Sequence, residues 1–386
     1  MRLFPAILAV FMSCHLAEGM VADREVRDGV GRLLSDTPDD SINVLHTDTP
    51  KVVSGGRKMS WLRRTIRGFS KIDTNYVEPQ HYNWSVMVQG TYNYDYYRLS
   101  TKDQSLTFSP SPTIKFGPYF GWRWIFLGYT IDLSAVDVTN KSRKQEVDFS
   151  IYSAQIGADL FYRRTGSDYK IRNMRIAGTG DFRDLEGREF DGLSVGITGF
   201  SLYYIFNHQK FSYPAAFAQS TMQKISCGSL MAGFGYTTNS IEFDYDKMQS
   251  LIDERTTNKV NLDSGLMFNN VRYTDVNLSV GYAYNWVFAK NCLFCASLST
   301  ALAYKKTRGE TSSDKEHGID LDNFNVDAIG RFGIVYNNNR WYAGASSVVR
   351  AYNYRKTQFS ANNIFGNLKI YFGYNFGARS RYKKKQ

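Results

Sequence analysis

Proline, cysteine and histidine are all scarce in this chain, at 8, 4 and 5 of 386 residues. Each proline would remove one donor from a β-ladder, so a low proline content leaves room for long paired strands. The cysteines exclude a disulfide framework: Cys14 falls in the leader, and Cys227, Cys292 and Cys295 remain, an odd number inside strand-like segments. Cys292 and Cys295 have C-x-x-C spacing, but residues three apart in a strand face opposite sides, which argues against a zinc site or a redox pair. Also absent, beyond the N-terminus, is any run of eighteen or more apolar residues, so no helix is long enough to span a bilayer.

Aromatic residues and glycine are abundant, with 27 Tyr, 26 Phe, 6 Trp and 31 Gly, yet mean hydropathy is only −0.38. A membrane protein of this composition must cross with strands. Hydrocarbon leaves no partner for a free backbone group, and the closed barrel is the one alternative to a helix. Alternate residues of such a barrel are polar, which keeps the average hydropathy low. The net charge is +11, part of it in a tail containing Arg379, Arg381, Lys383, Lys384 and Lys385. An exported barrel does not meet nucleic acid, so the expected counter-charges are outer-membrane lipid head groups and lipopolysaccharide phosphates.

The N-terminus carries an export pattern: Met1-Arg2, an apolar stretch from Leu3 to Leu16, then the small-x-small site Ala17-Glu18-Gly19. Residues 1–19 are therefore expected to be a signal peptide. Phe11-Met12-Ser13-Cys14 offers a lipoprotein-box alternative in which Cys14 is lipidated. Residues 20–80 are charged and irregular and predict a periplasmic extension. Within it, the spacing of Trp61, Leu62, Ile66 and Phe69 among basic residues predicts a short amphipathic helix over 60–71.

From residue 81 the apolar period becomes two. Tyr82, Trp84, Val86, Val88, Tyr92 and Tyr96 share one face of a strand, while Asn83, Ser85, Gln89 and Asn93 share the other. The division returns in Leu278, Val280, Tyr282, Tyr284, Trp286 and Phe288 against Asn277, Ser279 and Asn285, and again in Leu368, Ile370, Phe372, Tyr374 and Phe376 against Asn367, Lys369 and Asn375. Tyr82, Trp84, Trp286, Phe288, Tyr374 and Phe376 are the expected interfacial aromatics.

The pattern predicts an all-β fold, a transmembrane antiparallel up-and-down β-barrel of about twelve strands over 81–377, followed by a basic tail at 378–386. Expected strands lie near 82–99, 105–119, 123–135, 146–163, 169–177, 191–207, 221–238, 270–288, 292–306, 323–337, 340–356 and 361–377. A phase slip near Ser153 suggests a bulge. With a periplasmic N-terminus, the long connections 136–145, 178–190, 239–269 and 307–322 fall outside, and tight turns such as Thr165-Gly166-Ser167, Ala289-Lys290-Asn291 and Asn338-Asn339 fall inside. The segment 208–220 is a long connection on the short-turn side. This scheme puts both termini in the periplasm of a Gram-negative envelope.

Three stretches resemble the family called domain of unknown function 4421: Asp73-Thr74-Asn75-Tyr76-Val77, the run Gly117 to Tyr129, and Phe211-Ser212-Tyr213-Pro214-Ala215-Ala216-Phe217 with Gln223 to Ser229. The resemblance covers roughly residues 70 to 377 and implies a barrel similar to other Bacteroidota outer-membrane proteins. It implies no activity.

The chemistry-bearing candidates are few. Glu310, Asp314, Glu316, His317 and Asp320 share the loop 307–322 and have the residue types to bind a cation or activate water, although a solvated loop has the same composition. Asp327 and Arg331 should face the lumen, joined by Arg350 and Lys369, either to pair and plug it or to set ion preference. The sequence reads as a non-enzyme without cofactor, inserted by the barrel-assembly machinery. Three readings stay open: a narrow pore or structural element, a binding or scaffold protein using its long loops or holding a periplasmic protein partner through its extension, and an outer-membrane hydrolase.

Overall fold

A computed structural model of the chain describes residues 72–122, 125–128, 131–132, 145–165, 168–176, 182–254, 260–308, 323–355 and 359–383. The expected signal peptide, the 60–71 helix and the 310–320 carboxylate cluster lie outside these residues.

One antiparallel sheet curls into the wall. Its members are β2 (Tyr82–Ser100), β3 (Gln104–Pro110), β4 (Thr113–Trp122), β5 (Ile125–Gly128), β6 (Ile131–Asp132), β7 (Gln145–Tyr152), β8 (Ile156–Arg164), β11 (Leu193–Ile205), β13 (Cys227–Phe243), β14 (Asn270–Ala289), β15 (Cys292–Arg308), β16 (Phe324–Asn337), β17 (Trp341–Arg355) and β18 (Ser360–Ala378). β3 and β4 run successively along β2, interrupted where Pro110 and Pro112 remove ladder donors, and β5 and β6 run along β4. Counting each of these pairs as one span gives twelve spans among the described residues. The last strand pairs with the first along nearly its whole length, from Ser360↔Ser100 to Ala378↔Tyr82. Next to the segment 133–144, Glu146 of β7 accepts from Lys115 Nζ at 3.3 Å and from Asn93 Nδ2 at 2.7 Å, joining β7 to β4 and β2.

The number of spans agrees with the sequence expectation, but two assignments behind it do not. The expected strand 146–163 is a hairpin, β7 and β8, turned at Ser153, whose hydroxyl accepts from Ile156 N at 3.0 Å. Alternation persists through a tight reversal, so the phase slip that looks like a bulge is the turn itself. The expected wall strand 169–177 is β9 (Tyr169–Ile176), which pairs with β3 and with β10 (Glu189–Phe190) and forms no part of the barrel circuit. One strand is gained and one lost. The reversal also moves Thr165 to the end opposite the one expected, where it bonds Val195 O at 3.0 Å.

The end at which β2 starts and β18 finishes is called the near end, and the opposite one the far end. Two near-end turns place an asparagine at positive φ, Asn291 (64°) and Asn339 (72°), a conformation that asparagine tolerates better than most residues.

The outward face is apolar. Along β14 every second residue from Val276 to Phe288 is exposed, and Leu278 reaches 68%. Twelve residue steps span about 40 Å of strand, or roughly 30 Å of membrane normal at the usual barrel tilt, enough to cross the hydrocarbon. Near-end aromatics gather on this face, with Trp84 5.4 Å from Phe120, Trp341 4.3 Å from Tyr374 and Trp286 5.5 Å from Phe288. Trp84, Trp286, Phe288 and Phe376 are exposed, while Tyr82 and Tyr374 are half-buried.

Candidate functional site

Among the described residues, the lumen is where polar side chains from many strands converge, and it is filled in three layers. At the near end the long connection between β11 and β13 turns inward. Ser212 caps a short helix, α1 (Tyr213–Phe217), by accepting from Ala215 N at 3.3 Å, and Pro214 occupies its first turn. Small residues at Ala215 and Ala216 let the helix approach the wall, where a Cβ on Gly333 would stand 3.4 Å from Ala216 O.

Hydrogen bonds fix this plug to several strands. Tyr213 Oη donates to Ser297 Oγ of β15 at 2.5 Å, and Gln219 Nε2 donates to Tyr371 Oη of β18 at 2.7 Å. Asn285 Nδ2 of β14 donates to Ser212 O at 2.8 Å and to Gln223 Oε1 at 3.0 Å. Gln219 itself sits at φ 52°, an unusual conformation for glutamine, held by the bonds its amide makes to Tyr371 and Ala216. Beneath the plug, β1 (Val77–Pro79) pairs with β12 (Thr221–Gln223), and Lys224 N donates to Tyr76 O at 2.7 Å. Two of the three stretches that carry the family resemblance, 73–77 and 211–217 with 223–229, therefore meet in one plug, the second running on into β13 at Cys227.

The middle layer is ionic. Arg331 of β16 pairs with Asp159 of β8, and Arg163 of β8 with Asp148 of β7 at 2.8 Å. Arg350 of β17 stands 3.8 Å from each of the two carboxylates. The guanidiniums lie over aromatic faces, Arg163 over Phe365 at 4.7 Å, Arg331 over Tyr203 at 4.9 Å and Arg350 over Phe161 at 5.0 Å. A step toward the far end, Lys305 Nζ bridges Asp327 Oδ1 at 2.8 Å and Asp275 Oδ2 at 3.3 Å.

The sequence-derived set is thus divided. Asp327, Arg331 and Arg350 are all buried inward, but Asp327 pairs with Lys305 and Arg331 with Asp159, so these two neighbours on β16 belong to different clusters. Lys369 is half-buried and alternates with exposed Leu368 and Ile370, which puts it on the inward face. Sequence reasoning missed Asp148, Asp159 and Arg163 because all three lie on the misassigned 146–163 hairpin. Read as two strands, that segment would have shown inward Asp159 and Arg163 at the same four-residue spacing as Asp327 and Arg331.

The far end is closed by an apolar cap. The connections 165–192 and 244–269 supply β9, β10 and α2 (Tyr245–Asp253), which is capped by Asp244 accepting from Lys247 N at 3.0 Å. Met248 and Ile252 on its inner face join Phe108, Phe190, Phe243, Leu262 and Leu266 in one buried cluster. Gln104 of β3 clamps the chain after α2, donating to Asn261 O and accepting from Asp263 N, both at 2.9 Å. Among the described residues no group of three or more His, Cys, Asp or Glu side chains is arranged to hold a metal.

Solved structures similar to this chain are bacterial barrels. They include the outer membrane protease OmpT of Escherichia coli (8% identity, 79% of this chain and 100% of that one, TM-score 0.32), the toluene transporter TodX of Pseudomonas putida (8%, 77% and 91%, 0.22) and the outer membrane protein OprG of Pseudomonas aeruginosa (9%, 78% and 99%, 0.21). Likeness at this level carries no activity across. No curated protein matches the chain. The family model described as domain of unknown function (DUF4421) matches residues 71–376, which include the plug, the ionic layer and the cap, and the chain belongs to that family.

Proposed function

We propose that this outer-membrane barrel works with its lumen closed, as an envelope binding or scaffold protein that presents the cap on the cell surface and keeps both termini in the periplasm. The observation that carries the reading is the occupation of the lumen at three levels by α1, the Arg331–Asp159 layer and the apolar cluster under α2. A diffusion pore needs a water-lined path, whereas each layer here is held by hydrogen bonds, ion pairs or apolar packing that conduction would have to break. The long connections support the orientation, since barrels of this class carry longer loops outside and short turns in the periplasm.

Two measurements test the proposal. In intact cells, a membrane-impermeant thiol reagent should label Lys247→Cys on α2 but not Asn338→Cys in the near-end turn, and the reverse pattern would sink the orientation. Proteoliposomes carrying the folded barrel should swell in small sugars no faster than empty vesicles. Faster swelling would favour the narrow-pore reading, with α1 as a plug that moves.

A further inference from the structure

Among the described residues the wall lacks a ladder between β7 and the β5–β6 span, and a second ladder, between β16 and β17, stops short. β16 and β17 pair from Asn337↔Tyr342 only as far as Ala328↔Ala351, although β16 extends back to Phe324 and β17 on to Arg355. Above that point each strand pairs only with its other neighbour. The gap is bridged by inward side chains. Asp327 Oδ1 accepts from Asn353 N and Asn325 Oδ1 from Arg355 N, both at 2.9 Å, and Lys305 Nζ donates to Asn353 O at 2.7 Å. Backbone groups in a barrel wall must be paired, and here side chains supply the pairing without closing the strands together.

A cavity of about 390 Å³ opens on the outer face at this breach. Its lining is mostly outward-facing, and Tyr352, between Ala351 and Asn353, borders it. Its lining falls into two rows. Tyr96, Ile364, Ala351 and Ala328 form one cross-strand row, and two residues farther toward the far end Thr107, Arg98, Asn362 and Asn353 form the next, with Val326 at the same height on β16. The two rows lie about 7 Å apart along the strands, so over that distance the crevice gains Arg98 and two asparagines beside Val326. Small side chains at Ala328 and Ala351 leave the space, and Arg98 sets a positive charge in the second row.

We propose that this crevice binds one hydrocarbon chain of an anionic single-chain amphiphile of the fatty-acid type, the chain lying against Ala328 and Ala351 and the carboxylate meeting Arg98. The volume sits near the lower limit for small-molecule sites, which suits one chain and excludes a multi-chain lipid. Residence within the lipid-facing band gives such a ligand access from the membrane without passing the lumen, so the proposal stands or falls apart from the closed-lumen reading.

The test uses fluorescence titration of the detergent-solubilised, heat-modifiable barrel with cis-parinaric acid and with its uncharged methyl ester. Wild type should bind the acid more tightly. Ala351→Trp, or Ala328→Phe if the first variant does not fold, should weaken the acid at least about tenfold, while Leu298→Trp, on the lipid face of β15, should stay within about twofold. Arg98→Ala should abolish the preference for acid over ester and leave ester binding unchanged. Equal binding of acid and ester by wild type, unaltered binding in both crevice-filling variants, or displacement by lipopolysaccharide but not by unlabelled fatty acid would each overturn the proposal.

Discussion

Arg331 of β16 and Asp159 of β8 form a buried ion pair across the lumen, although β15, β14, β13 and β11 separate their strands in the wall. A contact between strands so far apart in the ladder order forms only when the sheet has curled round, so this pair reports the curl of the sheet as well as filling of its interior. Asp159 is also the shared partner, since Arg350 stands 3.8 Å from it and Ser150 donates to it at 2.6 Å.

That sharing predicts unequal losses. Asp159→Leu leaves two guanidiniums facing an apolar group and should cost about 3–5 kcal/mol in urea unfolding followed by gel mobility. Arg331→Met leaves Asp159 with Arg350 and Ser150 and should cost clearly less, while the double variant should fall well short of the sum. Equal losses in the two single variants would contradict the arrangement.

The lipid face predicts a dependence on depth. Val280, 61% exposed at mid-strand, should tolerate arginine poorly, at about 2–4 kcal/mol, whereas Phe288→Arg near the interface should cost about 0–1 kcal/mol. Refolding yields into lipid vesicles measure both. Similar costs at the two sites would mean that the apolar band is not seated in hydrocarbon.

The wall was legible in the sequence because its signal is local. Trp84, Leu278 and Ile370 each sit in a run of strict alternation, and the structure turns every one of them outward. The interior was only half legible. Alternation reveals that Asp327 and Arg331 point inward, but not that Lys305, from the neighbouring strand, takes Asp327 while Arg331 reaches across to Asp159. Partners inside a barrel depend on ladder register and curvature, and neither has a periodic trace in one segment. The plug was visible only as an anomaly, a long connection on the short-turn side. The hydrogen bonds that turn it inward join Tyr213 to Ser297 and Gln219 to Tyr371, residues far apart in the chain.

The cap predicts a local effect. Ile252→Ala removes a fully buried side chain from the apolar cluster and should destabilise the cap by about 2–5 kcal/mol. Limited trypsin digestion should then cut within 244–269 faster than in wild type, with the heat-modifiable mobility of the barrel unchanged. Cutting rates equal to wild type would show that α2 does not hold the cap.

Single-channel recording in planar bilayers tests the closed lumen most directly, using protein already shown to be folded by its heat-modifiable mobility and a known porin as positive control. The account predicts no reproducible unitary steps from the wild-type barrel across salts and voltages, because α1, the Arg331–Asp159 layer and the cap each block the path. Stable unitary steps from that same sample would contradict it.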